Sequence, residues 1–167
     1  MAVIKTHNRT GVAAPLAERA GSEPKLTGRG RKSGARRFGL TEQSSEAAVS
    51  SIRRGFASQV VGDLAETFVL DQSSVARLVG VSTRTLQRIA TDKQGRLDAV
   101  SSDRIYRLER VYRTAVDAFG DSEKAVGWFK RPNWLFKDQT PLELLDTEAG
   151  REQVEAELRK IQYGIYL

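Results

Sequence analysis

The sequence predicts an all-α fold, and three observations support this prediction. Apolar residues recur every three or four positions through most of residues 45–164, which is the period of an amphipathic helix. Several of these segments follow a Ser or Thr, which are favoured N-caps, and end at a Gly. We find no convincing strand pattern and no internal repeat. Helices packed on helices are therefore expected, preceded by a basic arm.

Residues 1–44 form the predicted arm. Within 1–39, nine Lys or Arg stand against two acidic residues, a net charge of +7, whereas 40–167 carries −1 of the total of +6. This composition buries too little apolar surface to offset the entropy of ordering, so we expect disorder. Two interpretations are open for the Gly- and Arg-rich stretch 28–37: contact with DNA phosphates or the minor groove, and a solvated tail.

Residues 45–100 are predicted to form a helix-turn-helix DNA-binding region. Apolar residues at helical spacing over 49–68 are interrupted by Gly55 and Gly62, so this part is one kinked helix or two. Two short helices joined by a tight turn are expected over 72–91. A polar stretch over 92–102 then indicates a loop.

The predicted turn of this motif is at Gly80, because Gly adopts a left-handed conformation at low cost. Ala76 is small enough for two helices to approach closely, and Ser82 is a natural N-cap for the second helix. The predicted core of the motif consists of Val75, Val79, Val81, Leu86 and Ile89. The side chains predicted to contact base edges and phosphates are Gln72, Ser73, Ser82, Thr83, Arg84, Gln87 and Arg88. The alternative is a purely structural helical hairpin.

Residues 101–167 are predicted to form a second helical region. Its first helix is expected over 103–119, with Ser102 as its cap and Gly120 as its stop. Acidic and basic residues four apart on this helix are interpreted as surface pairs. These pairs are Asp103 with Arg107 and Glu109 with Arg113.

A shorter helix over 122–130 and an aromatic connection over 131–136 are expected next. Trp128 is predicted to pack in the core, whereas Trp134 either contacts a partner or covers the core.

The last helices have clear start signals. Thr140, Pro141 and Glu143 have the composition of a capping box with Pro in the first turn. Thr147 is expected to cap a final helix that Gly164 ends. One face of this final helix carries Val154, Leu158 and Ile161.

An ordered set of segments in this region resembles the toxin-binding domain of Xre-type antitoxins, the partners of RES-domain toxins in bacterial toxin–antitoxin modules. The segments are SDRIYRL (102–108), AVGWF (125–129), RPNWLF (131–136), TPLELLDTEAG (140–150) and LRKIQYG (158–164). No single segment is specific, but their order and spacing resemble the family across about 45–164. The basic arm lies outside the resemblance.

The resemblance implies an antitoxin with an Xre-like helix-turn-helix followed by a helical toxin-binding and dimerisation domain over 101–167. It implies a homodimer within a larger toxin–antitoxin complex, a RES-domain toxin that consumes NAD⁺ as partner, and repression of its own operon through double-stranded operator DNA with an inverted repeat. In this family the end of the last helix and the tail lie at the mouth of the toxin's NAD⁺ pocket. The corresponding residues here are Lys160, Tyr163, Gly164, Ile165, Tyr166 and Leu167. The residues alone leave an alternative open, in which Tyr163, Ile165 and Tyr166 fold back onto this chain's own helices.

Catalysis finds little support in the sequence. The one histidine, His7, lies in the arm, cysteine is absent, and neither a metal-ligand spacing nor a phosphate-binding glycine loop is present. We therefore expect no enzyme activity, no cofactor and no metal. The absence of cysteine, of a transmembrane-length apolar run and of a secretory signal favours a cytoplasmic protein without membrane association. The resemblance implies that this cytoplasm is bacterial. A stand-alone dimeric helix-turn-helix transcriptional regulator without a toxin, and an interaction module with a degenerate hairpin, are the rival hypotheses.

Overall fold

A computed structural model describes residues 44–92 and 94–164 of the 167-residue chain. The arm up to residue 43 and the tail residues Ile165, Tyr166 and Leu167 lie outside the described residues, so the predictions made for them stay predictions. The described part confirms the all-α fold. Its helices are α1 (Ser45–Arg54), α2 (Gln59–Phe68), α3 (Gln72–Val79), α4 (Thr83–Thr91), α5 (Ala99–Phe119), α6 (Ser122–Phe129), a 3₁₀ turn (Trp134–Phe136), α7 (Pro141–Leu144) and α8 (Glu148–Gln162).

The stretch with two glycine interruptions forms two helices, and only the first glycine ends a helix. Gly55 follows α1 with φ +79°, a backbone conformation that favours glycine. A side chain there would also clash with the carbonyl oxygen of Leu97. Gly62 lies inside α2, and the space around it is open. The break therefore follows from backbone conformation and close approach at Gly55 alone.

The long helix α5 begins four residues earlier than the sequence predicts. Its N-cap is Asp98, whose carboxylate accepts a hydrogen bond from the amide of Ser101 at 2.7 Å. Ser102 is buried inside the helix, where its hydroxyl accepts from the amide of Phe56 at 2.9 Å and donates to the carbonyl of Asp98 at 2.7 Å. The predicted loop over 92–102 and the Ser102 cap are therefore wrong in part. Asp98 sets the start of the helix through a local cap, and the Ser102 hydroxyl is engaged by the distant amide of Phe56 instead of capping.

The predicted surface pairs of α5 have different outcomes. Arg107 and Asp103 form the expected ion pair at 2.9 Å. Glu109, by contrast, is buried with 3% of its surface exposed, so the interpretation of Glu109 as a surface residue is wrong. Within the described part of the chain, neither of its carboxylate oxygens has a hydrogen-bond partner.

The core contains three aromatic rings from three helices. The ring centroid of Phe68 in α2 lies 5.4 Å from that of Tyr112 in α5 and 5.5 Å from that of Phe129 in α6. These edge-to-face arrangements add to the free energy gained by burying the rings. Helix α5 contacts α1 and α3 as well as α6 and α8, so it packs with helices from both halves of the described chain. The domain boundary at residue 100 stays a prediction.

The structure confirms the core predicted for the helix-turn-helix. Val75, Val79, Leu86 and Ile89 are buried, and the partly buried Val81 packs against the same cluster.

The helix starts predicted in the C-terminal part are confirmed. The Thr140 hydroxyl accepts from the amide of Glu143 at 3.2 Å, and the Glu143 carboxylate accepts from the amide of Thr140 at 2.9 Å, which completes the capping box. Thr147 caps α8 and accepts from the amide of Gly150 at 3.1 Å. A side chain at Gly150 would clash with the carbonyl of Leu144, so close packing of α7 on α8 requires glycine here.

The two tryptophans occupy different environments. Trp128 is half-buried, with its ring centroid 5.8 Å from that of Phe119 and 5.2 Å from that of Phe129, which confirms its core role. Trp134 is 75% exposed in the 3₁₀ turn, so the interpretation that it covers the core is wrong. A partner contact at Trp134 stays a prediction.

Candidate DNA-binding face and partner-binding end

Both helices of the helix-turn-helix have side-chain caps. The Asp71 carboxylate caps α3 and accepts from the amide of Ser74 at 3.2 Å and from the hydroxyl of Ser73. Gly80 ends α3 with φ +79°, and its amide donates to the carbonyl of Ala76 at 2.8 Å. Ser82 caps α4, since its hydroxyl accepts from the amide of Thr85 at 3.0 Å. These caps satisfy amides that would otherwise lack partners at the helix starts.

Helix α4 has one buried face and one exposed face. Leu86 and Ile89 are buried, and the four predicted contact residues of this helix are all exposed. The four occupy two pairs of positions four residues apart, so each pair shares a side of the helix. Guanidinium and amide groups in such an arrangement are suited to base edges and phosphates in a major groove. The four residues are Thr83, Arg84, Gln87 and Arg88.

The structure brings together one pair of predicted contact residues from the two helices. The side-chain amide of Gln87 in α4 donates to the side-chain oxygen of Gln72 at the start of α3, at 3.0 Å. The hydroxyls of Ser73 and Ser82 are instead engaged in the helix caps. Both serines are exposed at the helix starts, and their contacts to DNA stay predictions.

Asp71 is a charged residue of this face that sequence reasoning missed. Hydrogen bonds from Ser73 and Ser74 lower the pKa of its carboxyl to about 2, so the group is ionised at neutral pH. Its negative charge lies at the start of α3 beside Gln72, where it disfavours a phosphate. The signal in the sequence is an Asp directly before an apolar helical pattern.

Arg104 is a second residue whose position the sequence did not indicate. Its guanidinium, from α5, lies against Gly80, so that any side chain at that glycine would clash with it. In the sequence, Arg104 falls within the helix predicted over 103–119, with no sign of a contact to the turn. In the structure this cation lies beside the turn between α3 and α4, where the backbone conformation of Gly80 favours glycine.

A network of ion pairs joins α5 to the start of α8. Glu148 pairs with Arg107 of α5 and with Arg151, which also pairs with Glu155. Hydrogen bonding from Arg151 is the main cause that lowers the pKa of Glu148 to about 2. The pair between Arg107 and Glu148 links the start of α8 to α5, and the buried Val154 and Leu158 anchor the rest of α8 in the core.

The far end of α8 carries the described part of the predicted toxin-binding set. Lys160 forms an ion pair with Glu157 at 3.2 Å. Tyr163, the C-terminal cap residue of α8, is 74% exposed. Gly164 follows with φ +66°, a left-handed conformation that takes the chain out of the helix. An exposed cation and an exposed aromatic ring therefore lie within one turn of the helix end.

Within residues 44–92 and 94–164, no helix has the length and apolar character needed to cross a membrane. The same residues hold no group of three or more His, Cys, Asp or Glu that could bind a metal ion.

Comparison with known proteins identifies the family. The Xre-like helix-turn-helix domain of antitoxins matches residues 47–110, and the C-terminal toxin-binding domain of the Xre/MbcA/ParS antitoxins matches residues 114–164. An Antitoxin Xre of Yersinia enterocolitica is 31% identical over 132 residues, which cover 78% of this chain and 88% of the relative. The chain belongs to the Xre antitoxin family. The resemblance stated from its sequence is thus confirmed.

Other relatives of this antitoxin carry the same description. An Antitoxin Xre of Photorhabdus laumondii is 31% identical over 131 residues, covering 78% of this chain and 88% of the relative. An Antitoxin Xre of Pseudomonas putida is 35% identical over 114 residues, which cover 68% of this chain and 69% of the relative. Among solved structures, a chain of the Mycobacterium tuberculosis MbcT–MbcA toxin–antitoxin complex aligns with a TM-score of 0.46 and 18% identity, over 66% of this chain and 96% of that chain.

Membership of this family defines the protein at a coarse level. It is an antitoxin of a toxin–antitoxin system, with a helix-turn-helix domain followed by a toxin-binding domain. The names of the family and of these relatives point to a non-catalytic regulatory protein.

Proposed function

We propose that this antitoxin neutralises a RES-domain, NAD⁺-consuming toxin by placing the end of α8 and the tail in the toxin's active site. The observation that carries this proposal is the exposed Tyr163 at the end of the toxin-binding domain. A large ring with a polar tip gains much contact area in a partner's pocket at a small entropy cost. Its exposure at a helix end leaves it free to enter such a pocket.

The proposed contact set continues from α8 into the tail. Lys160 and Tyr163 bind at the rim of the toxin's pocket, and Gly164 redirects the chain away from the helix axis. Ile165, Tyr166 and Leu167 then fill the NAD⁺ cleft. The antitoxin thus excludes the substrate without chemistry of its own, and it does so in the bacterial cytoplasm.

Removal of residues 165–167 tests the neutralising tail. The antitoxin is co-expressed with the product of the neighbouring gene, the complex is purified, and NAD⁺ consumption is measured with the full-length and truncated chains. We expect the truncated chain to bind the toxin yet inhibit it at least tenfold less well. Arg159→Ala, an exposed change on the same helix, serves as the control. Full inhibition by the truncated chain would contradict tail insertion, and absence of any toxin binding by the intact antitoxin would favour a stand-alone regulator.

We also propose that the antitoxin acts as a homodimer that represses its own operon. The exposed face of α4, with two arginines and a glutamine, supports this proposal. Two copies of this face related by a two-fold axis read an inverted repeat, with half-sites about 34–36 Å or a multiple of this apart.

Substitution of the arginines tests DNA binding. Arg84→Ala and Arg88→Ala are each expected to weaken binding to the duplex upstream of the operon by about 1–3 kcal/mol, if each side chain contacts a base edge. The measurement is a gel-shift titration, with Arg110→Ala, an exposed position of α5, as the charge-matched control. Unchanged binding by both variants would remove α4 as the recognition helix.

A further inference from the structure

Trp134 and Leu135 form an exposed apolar pair in the 3₁₀ turn between α6 and α7. The side chain of Trp134 is 75% exposed and that of Leu135 is 42% exposed. Across residues 44–92 and 94–164, the other exposed large apolar residues are separated from one another along the chain, which is ordinary for a protein surface. Two adjacent ones, one of them a tryptophan, indicate a surface that another molecule covers.

The turn that carries this pair is held in place. The side-chain oxygen of Asn133 accepts from the amide of Leu135 at 3.0 Å, and the amide of Asn133 donates to the carbonyl of Gln139 at 3.1 Å. Phe136 is buried, with its ring centroid 6.5 Å from that of Trp128. Because the turn is already ordered, binding to its exposed pair costs little conformational entropy.

The two residues after the turn have a backbone conformation that is costly for them. Lys137 has φ +55° and Asp138 has φ +63°, both in the left-handed region that favours glycine. The amide of Asp138 donates to the carbonyl of Asn133 at 3.1 Å, so this conformation closes the turn. Strained residues of this kind concentrate at functional positions, where the shape of the chain matters more than its local stability.

Cations flank the apolar pair. Lys130, Arg131 and Lys137 are exposed, and none of them forms an ion pair with another described residue. Three cations against the single acid Asp138 give residues 130–138 a net charge of +2. An apolar centre with a cationic rim is complementary to an apolar pocket with an acidic rim.

We propose that Trp134 anchors a second contact with the toxin, in which its ring enters an apolar pocket with an acidic rim on the toxin surface. The turn lies within residues 114–164, which match the toxin-binding domain, and tryptophan is enriched among the residues that dominate binding at interfaces. This contact holds the two proteins together, whereas the tail excludes the substrate. The inference rests on the toxin partner of the proposed function.

Hydroxyl-radical footprinting tests the contact directly. The antitoxin is co-expressed with the tagged product of the neighbouring gene, and mass spectrometry measures oxidation of each tryptophan in the antitoxin alone and in the complex. In the antitoxin alone, the exposed Trp134 is expected to be oxidised faster than the half-buried Trp128. We expect this order to reverse in the complex. It should also reverse with the chain that lacks residues 165–167, because the second contact does not need the tail.

Competition in cells measures how much the anchor contributes to binding. Cells that produce limiting tagged toxin with equal amounts of wild-type and variant antitoxin yield complexes whose ratio reports the relative affinity. Trp134→Ala is expected to bind at least about 30-fold less tightly, the size of an interface hot spot. Lys137→Glu is expected to bind less tightly by a smaller factor. The controls Val100→Ala and Arg110→Glu, exposed changes outside the toxin-binding domain, should compete equally with the wild type.

Thermal unfolding separates a lost contact from a fold defect. Trp134→Ala is expected to keep the melting temperature of the wild type, because the ring is exposed. If this variant does not fold, footprinting of the wild-type complex still decides the question.

The possible failures are distinguishable. If the neighbouring gene product binds no antitoxin, the proposed toxin partner is wrong and this inference falls with it. If the complex forms but Trp134 is oxidised as in the free chain, or a folded Trp134→Ala competes equally with the wild type, the second contact is wrong. Inhibition by the tail is then judged separately from NAD⁺ consumption. Protection of Trp134 in the antitoxin alone that fades on dilution, or protection by a DNA duplex, would assign the turn to a second copy or to DNA and overturn the inference.

Discussion

Replacement of Glu109 by Gln is expected to stabilise the antitoxin at neutral pH. The carboxyl group of Glu109 is buried in α5, and neither of its oxygens has a hydrogen-bond partner within the described residues. Burial raises the pKa of Glu109 from 4.5 to about 8, and the nearby charge of Arg113 lowers it only in part. At pH 7 the carboxyl is therefore mostly protonated in the folded chain and ionised in the unfolded chain.

The size of the effect follows from these pKa values. Because the folded pKa is higher than the unfolded one, the stability associated with this proton is complete below pH 4.5 and is lost as the pH rises to about 8. At pH 7, about 2.5 pH units above the unfolded value, the loss is about 3 kcal/mol, and at pH 5 it is under about 1 kcal/mol. Gln has nearly the same shape as protonated Glu and does not ionise, so Glu109→Gln removes this loss.

Urea unfolding at pH 5 and pH 7 measures the effect. The free energy of unfolding of Glu109→Gln is expected to exceed that of the wild type by a margin that grows by about 2.5 kcal/mol between the two pH values. Glu152→Gln, at an exposed position of α8, controls for loss of a carboxylate. A margin that is the same at both pH values would refute the reasoning.

Three further substitutions test other features of the structure. Gly80→Ala is expected to destabilise the antitoxin by about 1 kcal/mol, because φ at this position is +79°. The guanidinium end of Arg104 can move away from the new methyl group, so adding Arg104→Ala should recover little of the loss, and full recovery in thermal unfolding would show that the contact is its cause. Val69→Gly is expected to stabilise it by about 1 kcal/mol, since this valine has φ +50° and is 75% exposed; no gain in urea unfolding would show that its conformation is not strained. Asp71→Asn keeps the cap of α3 and removes its negative charge, so gel shifts should show tighter binding to DNA of any sequence, most clearly at low salt.

The parts of the fold that sequence predicted well depend on local chemistry. The turn at Gly80 and the capping box of Thr140 and Glu143 are each specified by residues within a few positions of one another. The burial of Ser102 was missed because its hydroxyl accepts from the amide of Phe56, 46 residues away, whereas the local cap that starts α5 is Asp98. Burial of Glu109 was missed for a related reason, because a charge pattern on a helix does not show which side other helices cover.

The candidate DNA-binding face likewise has features that local sequence predicts and features that depend on tertiary packing. Helical spacing was enough to place Arg84, Gln87 and Arg88 on an exposed face of α4. The bond between Gln87 and Gln72 depends on how α3 and α4 pack, and the contact of Arg104 with Gly80 depends on where α5 lies. Both require tertiary geometry, which no spacing within one helix supplies.

Helix α5 is uninterrupted by glycine or proline over its 21 residues, a length of about 31 Å. Arg104 on this helix lies against the turn of the DNA-binding motif, and Arg107, less than one helical turn further on, pairs with Glu148 at the start of α8. One straight helix therefore contacts both the turn of the helix-turn-helix and the start of α8, through residues three positions apart. Because α5 has no hinge between these two contacts, the turn of the helix-turn-helix and the start of α8 cannot move apart without breaking one of them.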